Sequence, residues 1–277
     1  MTGQLMQNRR GLVMGVANDH SIAWGIARTL HAHGAAIAFT YQGESQGKRL
    51  KPLADSIGSN LLLQADVEND TELDAAFATL AREWGRLDFV VHAIAYSERE
   101  ELKRRYVETS RENFCRSLAI SCFSFTDIAR RSLPLMRENG GALLTLTYLG
   151  AHRVTPNYNV MGVAKAALES SVRYLAADLG AENVRVNAIS AGPMRTLAGS
   201  VISESRNVFK WNKAQSPLRR TVTLENVGNA ALYLVSHLSG GVTGEIHYVD
   251  AGYNIVGTPP SSLLKGWIGP EDKDESP

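Results

Sequence analysis

Short apolar runs, rich in β-branched residues, alternate along this chain with longer segments that have the spacing of amphipathic helices. Runs that are apolar throughout, rather than at every second position, are typical of strands covered on both faces. Their regular alternation with helices predicts right-handed βαβ units, and therefore an α/β fold with a doubly wound parallel sheet of seven strands. The predicted strands are Gly11–Val16, Ala35–Thr40, Asn60–Ala65, Leu87–Ala93, Gly141–Thr147, Val184–Ile189 and Glu245–Val249. The predicted helices include Ser21–His33, Asp70–Trp84, Arg111–Arg137, Pro156–Asp178 and Leu224–His237.

The composition is even enough along the chain to predict a single domain. Apolar residues make up 44% of the 277, which is enough for one sizeable core, and no linker-like stretch divides them. We therefore expect a Rossmann-type domain over residues 1–257 and a polar tail over residues 258–277. Two stretches, Tyr96–Ser110 and Arg195–Ser216, interrupt the alternation. Such insertions at the carboxyl ends of strands are where these sheets bind ligands.

Charge and cysteine content exclude several classes of function. The chain carries 29 basic and 28 acidic residues, so it has no electrostatic footprint for nucleic acid or for an anionic membrane. Its two cysteines, Cys115 and Cys122, have no histidine nearby, and we expect no metal site. We find no signal peptide and no apolar run of membrane-spanning length, which predicts a cytoplasmic protein.

The first predicted strand leads into GVANDHSIAWGIA, at the point where a dinucleotide-binding fold needs small residues. The chain must turn tightly there, so that the amino end of the next helix meets the pyrophosphate. Gly15 can make that turn, and Ser21 is placed to cap the helix and to donate to phosphate. The usual G-x-G-x-x-G spacing is absent, so the position of the turn, rather than its pattern, favours a cofactor site.

The ends of the second and third predicted strands indicate which dinucleotide would bind. Gln42 stands where an acidic residue often binds the adenine ribose, and no arginine follows immediately to receive a 2′-phosphate. This favours NADH over NADPH. Asp66 and Val67 end the third strand and could flank the adenine, although Asp66 could equally be a helix cap.

The stretch TYLGAHRVTPNYNVMGVAK holds two tyrosines and a lysine that could form a catalytic site. Thr155-Pro156 is typical of a helix start, so Tyr158 and Lys165 would share one helix. Seven residues turn a helix by about 700°, so both side chains would point the same way, about 10 Å apart along the axis. Tyr148 ends the preceding strand and should face the same crevice. A lysine on the cofactor ribose and a tyrosine donating to an oxyanion could then act on one ligand.

The spacing of this tyrosine and lysine also separates two reaction types. Ordinary short-chain dehydrogenases carry Tyr-x-x-x-Lys, one helical turn apart, with a serine on the preceding strand. Here Gly162 stands four residues after Tyr158, and Tyr148 takes the place of that serine. Two alternatives stay open: a short-chain reductase that acts on a ketone or alcohol, and a catalytically silent nucleotide-binding paralogue.

A set of stretches, taken in order, resembles the bacterial NADH-dependent enoyl-acyl-carrier-protein reductases of type II fatty-acid synthesis, a branch of the short-chain dehydrogenase/reductase superfamily. The resemblance runs from Gly11 to about Gly257 and includes the Tyr-x6-Lys spacing. The stretches are GVANDHSIAWGIA, TYQ, LLLQADV, VVHAIAYS, LLTLTYLGAHRVTPNYNVMGVAKAALE, VRVNAISAGPMRTLA, PLRRTVTLENVGNAALYL and GEIHYVDAGYNI. The resemblance implies hydride transfer from NADH to the β-carbon of a trans-2-enoyl thioester, in a homotetramer that binds the acyl carrier protein.

The resemblance also implies roles for individual residues. Tyr158 would hydrogen-bond the thioester oxygen and stabilise an enolate, Tyr148 would line the pocket as the second active-site tyrosine, and Lys165 would complete the catalytic set. The cofactor-binding residues would be Gly15, Ser21, Ile22, Gln42, Asp66, Val67, Ile94, Lys165, Met194, Arg195 and Thr196. The substrate-binding residues would be Ser97, Tyr148, Tyr158, Met161, Ala198 and Ile202.

Some positions depart from the better-known members of that family. Ala95 and Tyr96 stand where glycine and phenylalanine are also found, which could narrow the space beside the nicotinamide. Arg195–Ser216 is the expected lid over the acyl chain, and Ser205 within it stands where an apolar aromatic residue is common. Basic residues in and near the lid either meet an acidic carrier protein or form an ordinary solvated face. They are Lys103, Arg104, Arg105, Arg206, Lys210 and Lys213. We expect His92, inside a strand, to be a hydrogen-bonded core residue rather than a catalyst.

Overall fold

Seven parallel strands form one sheet in the computed structural model, which describes residues 4–194, 196 and 205–258. The strand order is β3-β2-β1-β4-β5-β6-β7, so the prediction of a doubly wound parallel sheet is confirmed. The chain starts at β1, moves outward to β3, and returns to β4 on the other side of β1. This reversal of direction opens a crevice at the carboxyl ends of β1 and β4. The strands are β1 (Arg10–Met14), β2 (Ala36–Tyr41), β3 (Leu62–Gln64), β4 (Phe89–His92), β5 (Gly141–Thr147), β6 (Val184–Ala191) and β7 (Ile246–Val249).

Helices cover both faces of this sheet. They are α1 (Ile22–Ala32), α2 (Glu44–Ser56), α3 (Asp70–Trp84), α4 (Arg99–Leu102), α5 (Arg111–Leu118), α6 (Ser124–Met136), α7 (Val160–Leu179), α8 (Ser205–Gln215) and α9 (Leu224–Val235). Short 3₁₀ turns occupy Tyr106–Glu108, Leu149–Ala151, Gly180–Glu182, His237–Ser239 and Tyr253–Ile255. Among the described residues, no helix combines the length and the apolar character needed to cross a bilayer.

The core consists of two apolar layers, one on each face of the sheet. Successive residues of β1 point to opposite faces, so Val13 packs into one layer while Leu12 and Met14 pack into the other. Helices α1, α2 and α9 complete the first layer, and α3, α6 and α7 complete the second. Burial on both faces explains why the predicted strands are apolar at every position.

The predicted helix Pro156–Asp178 begins four residues later than expected. Residues 156–159 form turns, and α7 starts only at Val160, so Tyr158 lies outside the helix that carries Lys165. Asn157 and Asn159 adopt φ values of 60° and 41°, which a right-handed helix does not contain. Asparagine tolerates this left-handed region better than most residues. The prediction that Tyr158 and Lys165 share one helix face is therefore wrong.

The predicted helix Arg111–Arg137 is present as three consecutive segments. Helices α5 and α6 are joined without a break by a π-helical turn over Ala119–Phe123. The one extra residue in that turn rotates the side chains of α6 relative to those of α5. Such π-helical turns are common at functional sites. The turn holds Ser121, whose side chain contacts the loop after β4, as described below.

Helix α2, between the second and third strands, has a weak sequence signal. It contains Gly47 and Pro52 and buries only Leu50 and Ala54, so its apolar stripe is too narrow to be recognised.

Candidate active site

A cavity of about 570 Å³ opens at the carboxyl ends of β1, β4, β5 and β6. The loops after these strands form most of its wall, and α1, α4, α7 and α8 contribute the rest. The predicted site residues that line it are Gly15, Ser21, Ile22, Ile94, Ser97, Tyr148, Tyr158, Met161, Lys165, Met194 and Thr196. Another open depression, of about 810 Å³, lies at the amino ends of β1 and β2 and contains none of the predicted residues.

The remaining predicted residues fall in two groups. Gln42, Asp66 and Val67 lie beyond the cavity wall, at the ends of β2 and β3, where the crevice continues across the edge of the sheet. Arg195, Ala198 and Ile202 lie outside the described residues, as do the other residues of 197–204 in the expected lid and the tail from residue 259 onward.

Gly15 makes the turn that sets the floor of the cavity. Its φ is +92°, a conformation that favours glycine. A methyl group at this position would lie 2.1 Å from the Ala93 carbonyl oxygen. Glycine therefore lets the β1–α1 loop lie directly against the chain that leaves β4.

Ser21 lies where the sequence predicts it, but its hydroxyl has a different partner. The serine occupies the position before α1 without forming a side-chain cap to the helix. Its Oγ instead accepts hydrogen bonds from the backbone N–H groups of Ala17 and Asn18, each at 3.0 Å. The predicted cap is therefore wrong. The hydroxyl stabilises the loop, and in the part of the chain that the structure describes no side chain caps the first-turn N–H groups of α1.

Gln42 and Asp66 contact each other directly at the ends of β2 and β3. The side-chain Nε2 of Gln42 donates to the Asp66 carboxylate at 2.8 Å. The alternative interpretation of Asp66 as a helix cap is wrong, because Asn69 caps α3 by accepting from the N–H groups of Thr71 and Glu72. Gln46 links this end of the crevice to the first loop, since its amide donates to the Val16 carbonyl at 2.9 Å.

Lys165 is a buried ammonium group at the centre of the cavity wall. Its Nζ donates to the Leu146 carbonyl at 2.8 Å, and 6% of the residue is exposed. Burial lowers the Lys165 pKa to about 8, while the Cys122 thiol and the Glu169 carboxylate act in the opposite direction. The amine is therefore held close to its titration point at neutral to mildly alkaline pH.

The two tyrosines pack against each other beside Lys165. The rings of Tyr148 and Tyr158 lie 5.1 Å apart between centroids, in an edge-to-face arrangement at 69°. Burial raises the pKa of both hydroxyls, and the neighbouring Tyr148 and Glu169 raise the pKa of Tyr158 further. Both phenols are thus neutral hydrogen-bond donors, which is the form that can stabilise a developing oxyanion.

Gly162 shows why the one-turn tyrosine–lysine pattern is absent. A methyl group there would lie 2.8 Å from the Gly150 carbonyl oxygen. Helix α7 therefore packs tightly against the turn that carries Tyr148, and a lysine side chain has no room at position 162. This argues against a ketone or alcohol reductase of the ordinary short-chain type.

His92 is a core residue, as predicted. Its ring nitrogens lie within hydrogen-bonding distance of the Thr145 hydroxyl, at 3.2 Å, and the Ser124 hydroxyl, at 2.8 Å. Burial, and next the charge of Lys165, lower the His92 pKa to about 3. The imidazole is therefore neutral and structural.

A polar network behind Ser97 was not predicted. The side-chain oxygen Oδ1 of Asn113 accepts from the Ser97 hydroxyl at 3.3 Å and from the Glu98 backbone N–H at 3.0 Å. Ser121, in the π-helical turn, accepts from the Tyr96 N–H at 2.9 Å. The sequence gives no periodic signal for these contacts, because they depend on the π-helical turn and on a loop that folds back over α5.

Apolar residues from two other helices also line the cavity without having been predicted. Leu102 of α4 closes one side, and Val208 and Phe209 of α8 close the other. Their only sequence signal is their place in the two insertions, Tyr96–Ser110 and Arg195–Ser216, that interrupt the strand–helix alternation.

These groups form a donor set that fits a dinucleotide. A buried ammonium and two neutral phenols lie at one end of the crevice, and an amide–carboxylate pair lies at the other. Between them, the amino end of α1 has neither a side-chain cap nor an acidic residue in its first turn, and such helix ends bind phosphate.

Comparison with known proteins identifies the family. Residues 15–254 match the family model described as "Enoyl-(Acyl carrier protein) reductase". The chain is 62% identical over 261 residues to "Enoyl-[acyl-carrier-protein] reductase [NADH] 2" of Rhizobium meliloti (strain 1021), covering 94% of this chain and 97% of that protein.

Solved structures agree with this match. The crystal structure of FabI from Candidatus Liberibacter asiaticus superposes with a TM-score of 0.90 at 58% identity, covering 92% of this chain and 99% of that one. The enoyl-(acyl-carrier-protein) reductase of Anaplasma phagocytophilum, solved in complex with NAD, superposes with a TM-score of 0.90 at 56% identity, covering 93% and 98%. A family model over most of the chain, relatives above half identity and matching architecture agree: the chain belongs to the enoyl-acyl-carrier-protein reductase family of the short-chain dehydrogenase/reductase superfamily.

Proposed function

We propose that this chain is an NADH-dependent oxidoreductase that reduces the double bond of a trans-2-enoyl group carried on the acyl carrier protein, in fatty-acid biosynthesis. The observation that carries the proposal is the convergence of Tyr148, Tyr158 and Lys165 on one cavity in a chain of this family. When bound, NADH supplies the hydride to the β-carbon of the substrate.

The residues of the crevice would hold that cofactor along its length. Lys165 would hold the nicotinamide ribose through its ammonium group, beside Ile94, Met194 and Thr196 in the cavity wall. Gly15, Ser21 and Ile22 would place the amino end of α1 at the pyrophosphate. At the adenosine end we assign Gln42, Asp66 and Val67, and we also include Arg195 among the proposed cofactor residues.

Tyr158 would stabilise the charge that appears on the substrate during reduction. Addition of a hydride to the β-carbon leaves negative charge on the thioester oxygen as an enolate. The neutral Tyr158 hydroxyl would donate a hydrogen bond to that oxygen before the α-carbon is protonated. Tyr148 packs on the Tyr158 ring and would line the acyl pocket.

The substrate side of the cavity is assigned to Ser97 and Met161, together with the lid residues Ala198 and Ile202. Met161 lies on the first turn of α7, facing the cavity, and its thioether is adaptable to an acyl chain. The lid over residues 195–216 would cover the acyl chain of the substrate, and α8 contributes Val208 and Phe209 to the cavity wall.

Basic side chains stand on both sides of the cavity mouth and would receive the acidic carrier protein. Lys103, Arg104 and Arg105 are exposed directly after Leu102, which lines the cavity. Lys210 and Lys213 are exposed on α8, directly after Phe209, which also lines it.

We also propose that the chain forms a homotetramer. Strand β7 forms one of the two edges of the sheet, and a sheet edge favours association with another copy. Tyr233, whose ring lies 6.4 Å from that of His247 in β7, exposes apolar surface beside this edge. Leu238, Phe123 and Tyr174 also expose apolar surface. Light scattering on the purified protein would test the assembly; a monomeric mass would contradict it.

The activity is tested by comparing two thioester substrates. Purified protein should oxidise NADH with crotonyl thioester and should be inactive with acetoacetyl thioester. Turnover of only the ketone substrate would identify a carbonyl reductase instead. Tight NADH binding without turnover of any enoyl thioester would identify a catalytically silent paralogue.

A further inference from the structure

Glu169 is a buried carboxylate that the proposed mechanism does not use. Only 1% of the residue is exposed. It lies on α7 four residues after Lys165, and therefore on the same face of the helix. Burial of a carboxylate is unfavourable unless partners compensate its charge, so the partners of Glu169 need an explanation.

Its partners differ from those of the other buried acidic residues in the described ranges. Asp88 is paired with Arg9, and Asp127 with two arginines of α6. Asp250 accepts from two backbone N–H groups in the turn that follows it. Within the same ranges, Glu169 has neither an arginine partner nor a backbone N–H donor.

The two oxygens of Glu169 contact the two ends of the turn that carries Tyr148. The Thr147 hydroxyl donates to Oε1 at 2.7 Å, and Thr147 directly precedes Tyr148. The His152 imidazole contacts Oε2 without forming a hydrogen bond, and His152 directly follows the Leu149–Ala151 turn. One carboxylate therefore binds the start of this turn through a hydrogen bond and packs against the residue at its end.

The same carboxylate lies one helical turn after Lys165, the functional cation of the site, and favours its charged form. Two titratable groups act on Lys165: first Cys122, from the π-helical turn, and then Glu169, from α7. His92, a neutral residue of β4, is in turn influenced by Lys165. Of these, Glu169 is the carboxylate. The titratable groups that Glu169 itself contacts or influences are His152, Tyr158, Lys165 and Tyr248.

We propose that Glu169 is a positioning residue of the reductase site: it keeps Lys165 in the ammonium form and holds the Tyr148 turn against α7 through Thr147 and His152. The ammonium form is the one that can donate to a ribose hydroxyl and attract negative charge on the substrate. This catalytic meaning rests on the proposed function. The coupling between Glu169 and Lys165 does not, and it can be measured without cofactor or substrate.

The first test is the titration of Lys165 in cofactor-free protein. The side-chain carbon resonance of ¹³C-labelled Lys165, assigned with Lys165→Arg, reports the pH at which the amine loses its proton. We expect Glu169→Gln to move this titration down by about one pH unit, the scale of one nearby partly screened charge. The matched control is Asp178→Asn, which removes one negative charge from the exposed face of the same helix and should leave the titration unchanged. An unchanged titration in folded Glu169→Gln would overturn the proposal.

Two further variants test the proposal even if Glu169→Gln does not fold. Glu169→Asp keeps the charge but shortens the side chain, so Lys165 should titrate as in the natural chain while turnover falls. Thr147→Val removes the hydrogen bond to Oε1 with little change in shape, and it should lower kcat with crotonyl thioester on the order of tenfold. A downward shift of the Lys165 titration in Glu169→Asp, or an unchanged kcat in Thr147→Val, would contradict the proposal.

The two hypotheses fail in different ways. Absence of enoyl reduction by the natural chain would remove the proposed function, while the Lys165 titration would still respond to Glu169→Gln. If the natural chain is active, but these substitutions change neither the Lys165 titration nor kcat, only the proposed role of Glu169 is overturned.

Discussion

The two ends of the cofactor crevice are built on different physical principles. At the Lys165 end, the functional side chains are buried, and burial shifts their pKa values. At the Gln42 end, the side chains are at least partly exposed and are held by hydrogen bonds to each other. The interaction energy between two charges is large where water is excluded and small where water screens them. In the proposed function, the first end provides catalysis and the second provides selection of the cofactor.

Lys165→Met is the largest expected disruption of the buried end. Loss of the ammonium should lower kcat/KM by about a thousandfold, the upper range for removal of one electrostatic group. It should also weaken NADH binding, which fluorescence titration would measure. Lys51→Met, on the exposed face of α2, is the matched control and should change neither quantity. Natural NADH affinity in Lys165→Met would contradict the ribose role.

The same variant should be more stable than the natural chain. Burial lowers the Lys165 pKa from 10.5 to about 8, so the unfolded state binds more protons between these values. The free energy of unfolding of the natural chain therefore gains a contribution of about 3 kcal/mol as pH rises from 8 to 10.5. Lys165→Met should lack that rise in urea unfolding, and should be the more stable protein at pH 7. Parallel pH profiles of the two proteins would contradict this.

Tyr158→Phe tests the oxyanion role within the buried end. Removal of one preorganised donor should lower kcat for a poorly activated enoyl thioester by about two orders of magnitude, or about 3 kcal/mol. Tyr148→Phe is the comparison variant, because the two rings pack together but we assign the donation to Tyr158. It should retain most of kcat. Equal losses in steady-state assays of both variants would remove the assignment.

Gly15→Ala tests the turn that both ends of the crevice share. The added methyl meets the Ala93 carbonyl at 2.1 Å in a left-handed conformation. We expect the free energy of unfolding to fall by about 3 kcal/mol from backbone strain and overpacking. Gly43→Ala has no heavy atom within 4 Å of the added methyl and should change stability little. Equal melting temperatures of the two variants would show that the turn is not constrained.

Gln42→Arg is the smallest expected effect and tests the exposed end. A guanidinium at this position could pair with a 2′-phosphate, so the ratio of kcat/KM for NADPH over NADH should rise by about tenfold. Gln64→Arg adds the same charge at an exposed position of β3 and should leave the ratio unchanged. An unaltered ratio in Gln42→Arg would contradict cofactor selection by this residue.

The sheet was predictable because burial on both faces leaves a continuous apolar signal in each strand. Side-chain partners at loops were less predictable. The Ser21 hydroxyl bonds two residues of its own loop, and Asn69 rather than Asp66 caps α3, although both choices obey the same capping preferences. Local propensity does not decide between neighbouring polar residues when the path of the loop is unknown.

The site shows the same division between what a periodic pattern can predict and what it cannot. The prediction that Tyr158 and Lys165 face one crevice is correct, but the helical spacing behind it is wrong because α7 begins at Val160. Two asparagines with positive φ redirect the chain, and composition does not reveal that they adopt this conformation. The contacts of Glu169 were not predicted either, because they join residues from β5, a turn and α7.

A crystal structure of the protein with NAD⁺ and a non-reactive enoyl-thioester analogue would show directly which groups Lys165 and Tyr158 bind. We expect Lys165 Nζ within hydrogen-bonding distance of the nicotinamide ribose and Tyr158 Oη within hydrogen-bonding distance of the thioester oxygen. A nicotinamide bound away from Lys165, or a thioester oxygen held by other groups while Tyr158 stays packed in the core, would contradict this expectation.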